Sequence, residues 1–283
     1  MVAFEDIASR LGGTLVGQVP LVGGVSARVT GIDVAMPDGI TRRAVVREPG
    51  ASSWKGANPD AARREFELLA HLVAAGLPVP RPLLLDESPP HPFFVMDFIE
   101  GTRDLPADGA EALADMLARV HALALPGTML LPDREDPIAN LAKYLGPGHA
   151  ALQRRLADQP TLARRRTLLH GDYWPGNVLW RSGELVTILD WEDAALGDPL
   201  SDVACCRLEL RYVVGPTGAE AFTRRYAQQT RRSLGDLPIW SAYVAAAALA
   251  SMSQWGLPAE REAHMRREAE ASLAEAEARI LGG

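Results

Sequence analysis

The chain has 283 residues, 47% of them hydrophobic, which is enough to bury a large core and suits one two-lobed domain or two small domains. A formal net charge of −7 excludes an extended nucleic-acid surface, because phosphate contacts need clustered basic residues. The only two cysteines, Cys205 and Cys206, are adjacent and cannot build a disulfide framework. A reducing cytoplasm is therefore the expected setting.

From the N-terminus, Met1 to Asp6 carries acids where a signal peptide carries basic residues, so no export is expected. Phe4, Ile7, Ala8 and Leu11 lie at helical spacing before Gly12-Gly13, which predicts a short helix. Strand-like runs follow over 15–22, 27–35 and 41–47, with a glycine turn at 23–26 and Pro37-Asp38-Gly39 as the next turn. Alternation along the third strand places Arg43, Val45 and Arg47 on one face. Asn58-Pro59-Asp60 carries helix-start chemistry, and residues 61–75 form an amphipathic helix with Phe66, Leu69, Ala70, Leu72 and Val73 as its apolar stripe. Gly76 and the prolines at 78, 80 and 82 end it. Strands are expected at 83–85 and 93–99.

Beyond Asp108 the pattern is mostly helical, with helices over 110–123, 138–145 and 150–157. Later helices are expected over 219–232, 239–254 and 259–280. The arginine run 164–166 reads as a solvated approach to the next strand. Residues 237–259 lack charge over a span nominally long enough for a bilayer, but serines, Gln254, Gly256, Pro258 and an alanine-rich middle point to a buried core helix instead.

The most informative stretch is Leu168-Leu169-His170-Gly171-Asp172-Tyr173-Trp174-Pro175-Gly176-Asn177-Val178-Leu179-Trp180, a strand, a tight polar loop and a second strand. Asp172 is followed five positions later by the carboxamide of Asn177, and the run Leu185–Leu189 then delivers Asp190-Trp191. An acid to receive a hydroxyl proton, with an amide and a second acid able to hold a divalent cation, is what phosphoryl transfer needs, because that chemistry rests on positioning and charge neutralisation. The spacing matches the kinase catalytic loop, H-R-D-x-x-x-x-N.

His170-Gly171-Asp172 through Asn177, then Ile188-Leu189-Asp190-Trp191, resembles the aminoglycoside phosphotransferase family of small-molecule kinases, which shares the two-lobed fold of protein kinases. The resemblance implies an α+β fold. Residues 1–100 would form a nucleotide-binding lobe with an antiparallel sheet and one main helix, ending in a hinge, and residues 101–283 a larger, mostly helical catalytic and substrate-binding lobe. It makes Asp172 the catalytic base and assigns Asn177 and Asp190 to magnesium. Gly23, Gly24 and Ser26 resemble the loop that covers the nucleotide phosphates. Val45 would lie against the adenine, and backbone groups near Asp97 to Ile99 would bond its edge.

The main departure is Arg47, which stands where kinases carry the phosphate-pairing lysine. Arginine keeps its charge and grips phosphate bidentately, so the role survives with altered geometry. Lys55, in the following loop, is the alternative. The resemblance selects Glu65 as the acidic partner of Arg47.

In the downstream Asp198-Pro199-Leu200-Ser201-Asp202, Asp202 is expected to cap or brace the following helix and Asp198 to tie the loop to the catalytic segment. The short distance from Asp190 to that helix leaves no room for a phosphorylatable activation loop, so constitutive activity is expected. The implied reaction is transfer from ATP, with Mg2+, to a hydroxyl of a small molecule: an aminoglycoside or macrolide antibiotic, a choline-like alcohol, homoserine or a sugar. Glu192, Asp193, Trp240, Tyr243 and Trp255 could line the acceptor pocket but are not assigned to the site. The competing readings are a kinase-shaped nucleotide-binding protein without turnover, and a metal hydrolase built on His170, Asp172 and Asp190. Neither a nucleic-acid nor a membrane partner is expected.

Overall fold

The computed structural model describes residues 3–21, 27–50, 60–88, 91–157, 159, 162 and 167–282. The elements begin with α1 (Phe4–Arg10), β1 (Thr14–Pro20), β2 (Ala27–Ala35), β3 (Thr41–Pro49), α2 (Ala61–Ala74), β4 (Pro82–Asp86) and β5 (Phe93–Asp97). They continue with α3 (Gly109–His121), α4 (Pro137–Tyr144), α5 (Ala150–Ala157), β6 (Thr167–Leu169), β7 (Val178–Arg181), β8 (Glu184–Ile188), β9 (Ala195–Gly197), α6 (Leu200–Thr230), α7 (Leu237–Ser251) and α8 (Ala259–Gly282).

The chain folds as two compact units, the first of Met1–Thr102 with Leu179–Glu192 and the second of Arg103–Val178 with Asp193–Gly283. A cut at residue 100 falls beside the first of these breaks, but it leaves the 179–192 segment in the C-terminal part, whereas that segment packs with the N-terminal strands.

In the first unit, five antiparallel strands run in the order β1-β2-β3-β5-β4. Strand alternation sorts their side chains by face. Ile32, Val34, Ala44, Val46, Phe93 and Val95 form one cluster with Ile7 and Ala8 of α1. On the opposite face Phe94 meets Phe66 of α2, the ring centroids 6.4 Å apart in an edge-to-face arrangement. The ladder pairs Val45 with Met96, Val46 with Val95 and Arg47 with Phe94. β3 therefore lies inside the sheet with helices on both sides, and Ala44 to Glu48 are all buried.

The β7–β8 hairpin turns through Ser182 and Gly183, at φ 52° and 82°. Two successive left-handed residues match the natural twist of paired strands. Backbone bonds between Thr102 and Trp180 and from the Ile188 N–H to the Pro78 carbonyl tie the hairpin to the rest of the unit.

The second unit is helical. Leu141, Leu152, Leu156, Leu208, Ile239, Ala242, Ala245, Ala246, Met252, Met265, Ala269 and Leu273 share one core drawn from α4 to α8. α7 is the apolar segment that raised the membrane question. Its alanines give a narrow surface on which neighbouring helices pack closely, and among the described residues no helix is long and apolar enough to cross a membrane. The helix expected over 219–232 is the second half of α6, which breaks at Gly215 (φ 76°, ψ −178°). Arg211, 5% exposed, joins α6 to α8 through Glu268 at 3.2 Å and Glu275 at 2.8 Å.

Candidate active site

The loop after β6 takes its shape from a carboxylate on a helix. Asp202, in the first turn of α6 and 1% exposed, accepts the His170 N–H on Oδ2 at 2.7 Å and the Gly171 N–H on Oδ1 at 3.0 Å. His121 of α3 bonds the same Oδ2 through Nε2 at 3.2 Å, and its Nδ1 lies 2.7 Å from the Tyr226 hydroxyl. An ionised carboxylate only accepts, so Nε2 is the donor, and in a neutral ring Nδ1 accepts from Tyr226. Burial works against the Asp202 charge, but His121 and the His170 N–H outweigh it and hold the carboxyl below its ordinary range.

The tie to the catalytic loop expected of Asp198 is thus made by Asp202. Asp198, just before α6, accepts the Leu200 N–H at 3.0 Å and the Trp240 indole N–H at 3.1 Å. Asp202 lies inside the first turn, where its carboxylate projects from the side of the helix onto the loop.

Gly171 has φ +87°, and a Cβ there would sit 2.0 Å from the Asp193 carbonyl oxygen, so only glycine fits. The next residue, Asp172, accepts on Oδ2 from the Asn177 amide at 3.0 Å and from the Trp174 indole at 3.2 Å. Asn177 Nδ2 also reaches the Asp172 carbonyl at 2.9 Å. The five-residue spacing thus closes on itself. The amide nitrogen spans the loop, and Oδ1 is left as the atom able to ligate a hard cation.

In the first unit, Arg47 of β3 and Glu65 of α2 are each 5% exposed and meet at 3.0 Å, Nε to Oε2. Arg47 Nη2 reaches Asp190 Oδ1 at 2.7 Å and Glu192 Oε2 at 2.8 Å. Burial opposes the guanidinium charge, yet Glu65, Asp190 and Glu192 together hold its pKa above the ordinary range. Burial pushes the Glu65 carboxyl up to about 7, against the pull of Arg47. Asp190 has φ 63°, a left-handed conformation uncommon for a residue with a side chain and tolerated by aspartate. The following Trp191 is buried, its indole N–H on the Ile188 carbonyl at 3.4 Å, which fixes the segment on either side of that strained residue.

Val45 is buried in β3 beside Arg47. Asp97 is committed: its N–H donates to the Arg81 carbonyl and its side chain pairs with Arg81 at 3.1 Å. The Phe98 N–H goes to the Arg43 carbonyl, and no backbone bond among the described residues takes up the Ile99 N–H. Gly23, Gly24, Ser26 and Lys55 lie outside the described residues. Asp172 and Asn177 belong to the second unit, and Arg47, Glu65, Val45, Asp97, Ile99 and Asp190 to the first.

Two acids acquire importance only in three dimensions. Glu192 is one, through Arg47. Glu209 of α6 is the other. Burial pushes its carboxyl up to about 8, with Asp172 adding to the rise and Arg261 of α8 opposing it. Seven residues, two helical turns, separate Glu209 from Asp202, so both occupy one face of α6. The i, i+7 spacing from Asp202 is the only trace of this in the sequence.

Replacing Gly171 with alanine should cost about 2 kcal/mol or more, from the positive φ together with the clash on Asp193. Denaturant unfolding measures this, and unchanged stability would show that the loop tolerates a side chain. Because the folded Glu209 keeps a proton to about pH 8 while the unfolded group releases it near 4.5, stability should fall as pH rises between those values. Glu209→Gln should flatten that decline in thermal unfolding recorded from pH 5 to 8, and a parallel decline in the variant would contradict the assignment.

Comparison with known proteins gives three results. A family model described as the phosphotransferase enzyme family matches residues 37–237. Curated relatives include acyl-CoA dehydrogenase family member 10 of Mus musculus, 29% identical over 173 residues, and family member 11 of Homo sapiens, 27% identical over 171 residues. These alignments cover 51% and 50% of this chain but only 16% and 22% of the relatives, so the chain matches a small part of each.

Among solved structures, aminoglycoside 2′-phosphotransferase-IIIa in complex with GDP superposes with a TM-score of 0.67 at 19% identity, covering 96% of this chain and 97% of that one. A thermostable mutant of an aminoglycoside phosphotransferase with ADP and hygromycin B gives 0.65 at 18% identity, covering 96% and 98%. A macrolide 2′-phosphotransferase from Brachybacterium faecium gives 0.60 at 20% identity, covering 94% and 97%. These likenesses concern the fold, which is the kinase-like one with an N-terminal antiparallel sheet and a helical C-terminal part. With its family model matched from residue 37 to residue 237, the chain belongs to the phosphotransferase enzyme family.

Proposed function

We propose that this chain is a kinase that transfers the terminal phosphoryl group of ATP to a hydroxyl of a small molecule. The observation that carries the reading is the Asp172 loop, in which Asn177 and Trp174 grip one carboxylate oxygen while Asp202 holds the backbone beside it. Two donors on Oδ2 fix the rotation of the Asp172 carboxylate, and this sets where a hydroxyl must lie to surrender its proton. The nucleotides in the related structures, ADP and GDP, support a purine nucleotide donor.

Nucleotide binding is assigned to residues 1–100 together with the 179–192 hairpin. Val45 would pack against the base, with the Asp97–Ile99 backbone at its edge, Gly23, Gly24 and Ser26 over the phosphates, and Arg47 gripping them while paired with Glu65. Magnesium, when bound, neutralises charge on the transferring group. The donor set suits it, since Asn177 Oδ1 and the Asp190 carboxylate are hard oxygen ligands. Among the described residues no group of three or more His, Cys, Asp or Glu side chains forms a ready metal nest. Free thiols at Cys205 and Cys206 support a reducing, cytoplasmic setting.

The acceptor divides into two readings. Hygromycin B in a related structure supports an aminoglycoside-type or other antibiotic. A metabolite alcohol of the choline or homoserine kind is the alternative, and the relatives at 27–29% identity, named as acyl-CoA dehydrogenase family members, carry no antibiotic in their names. An acceptor screen with purified protein, ATP and magnesium decides between them. Nucleotide binding with no turnover on any alcohol would point to the binding protein without catalysis.

Asp172→Ala should lower turnover by roughly 100-fold or more while nucleotide binding persists, as single-turnover kinetics beside calorimetry would show. Retained turnover would remove Asp172 from the mechanism. Asp190→Asn should abolish the magnesium dependence of nucleotide affinity; titrations with and without the cation test this, and an unchanged dependence would place the metal elsewhere.

A further inference from the structure

An arginine in place of a phosphate-pairing lysine changes what its neighbours must do. The lysine ammonium is a compact point charge that one carboxylate can locate. A guanidinium is a plane, and its orientation determines which N–H groups meet a phosphate. Glu65 engages only Nε, which leaves the plane free to swing about the Cδ–Nε bond unless a terminal nitrogen is also held. Nη2 is held twice, by Asp190 Oδ1 at 2.7 Å and by Glu192 Oε2 at 2.8 Å. No described residue engages Nη1.

The double hold on Nη2 has a purpose under the kinase reading above, on which this inference rests. Asp190 is the residue assigned to the cation, and an oxygen shared with a divalent ion is a weaker acceptor for Arg47. Glu192 then remains as the anchor.

We propose that Glu192 is a positioning residue for Arg47: together with Glu65 it fixes the guanidinium plane when Asp190 is engaged by the metal, so that Nη1 is presented to a nucleotide phosphate. The buried indole of Trp191 holds the backbone between the two acids, which lets Asp190 and Glu192 reach the same nitrogen from alternate positions of the segment.

The test is a double-mutant cycle on full-length protein, with magnesium–ATP affinity measured by calorimetry. Glu192→Ala should weaken nucleotide binding about tenfold, the scale of a hydrogen bond to a charged group, and leave the acceptor KM unchanged. Glu192→Gln, which keeps an acceptor oxygen for Nη2, should recover most of that loss. In an Arg47→Lys background, Glu192→Ala should cost less than about twofold more, because a lysine has no plane to orient.

Equal losses in both backgrounds, or no loss in the first, overturn the proposal. If Arg47→Lys does not fold, equal losses for the Ala and Gln variants in the otherwise native chain overturn it as well. A native chain that binds no nucleotide overturns the kinase reading itself, whereas a native chain that binds nucleotide normally while Glu192→Ala does too overturns only the positioning role.

Discussion

Two backbone N–H groups resting on one buried carboxylate give the polar loop its shape. The loop from His170 to Asn177 contains two glycines and a proline and has no regular ladder to define its conformation. Asp202 supplies that definition from α6, and its own carboxylate is kept in place by His121 of α3, which Tyr226 steadies from beyond the break in α6. Burying an unpaired acid would cost several kcal/mol, so the carboxylate survives only because every donor around it is aimed at it. The Tyr173 hydroxyl, bonded to the Leu113 carbonyl at 3.0 Å, pins the middle of the loop to α3 in the same way. The position of Asp172 descends from this framework.

The first unit is organised around an opposite arrangement, one cation among three acids. With all groups ionised, Arg47, Glu65, Asp190 and Glu192 sum to −2, one positive charge against three negative. Such a cluster does little for stability, because desolvation offsets much of the attraction. Burial lifts Glu65 to about 7 against the pull of Arg47, and Asp190 and Glu192 add to the rise. The left-handed Asp190 adds local strain of the kind found where geometry serves chemistry.

In the second unit the contrast lies between two acids near each other. Asp172 sits among donors, whereas Glu209 accepts no hydrogen bond from any described residue and is pushed up to about 8 by burial and by Asp172. At neutral pH Glu209 therefore keeps its proton.

The sequence by itself indicated the element order, the antiparallel sheet followed by helices, the loop that carries Asp172 and Asn177, and the strand that delivers Asp190. It could do so because these depend on local period, turn chemistry and fixed spacing along the chain. The alanine-rich 237–251 segment was legible as a core helix for the same reason. What the sequence could not determine was which distant groups share a charge or a hydrogen bond. It gave the tie to the catalytic loop to Asp198, although Asp202 makes it, because both lie near a helix start and only the direction of each side chain decides which one reaches the loop. It placed the 179–192 hairpin with the C-terminal part, although the backbone bonds of Thr102 and Pro78 draw it to the N-terminal strands. The partnership of Arg47 with Glu192 and the proton on Glu209 arise from long-range packing and burial, quantities that exist only once the helices and strands have been brought together.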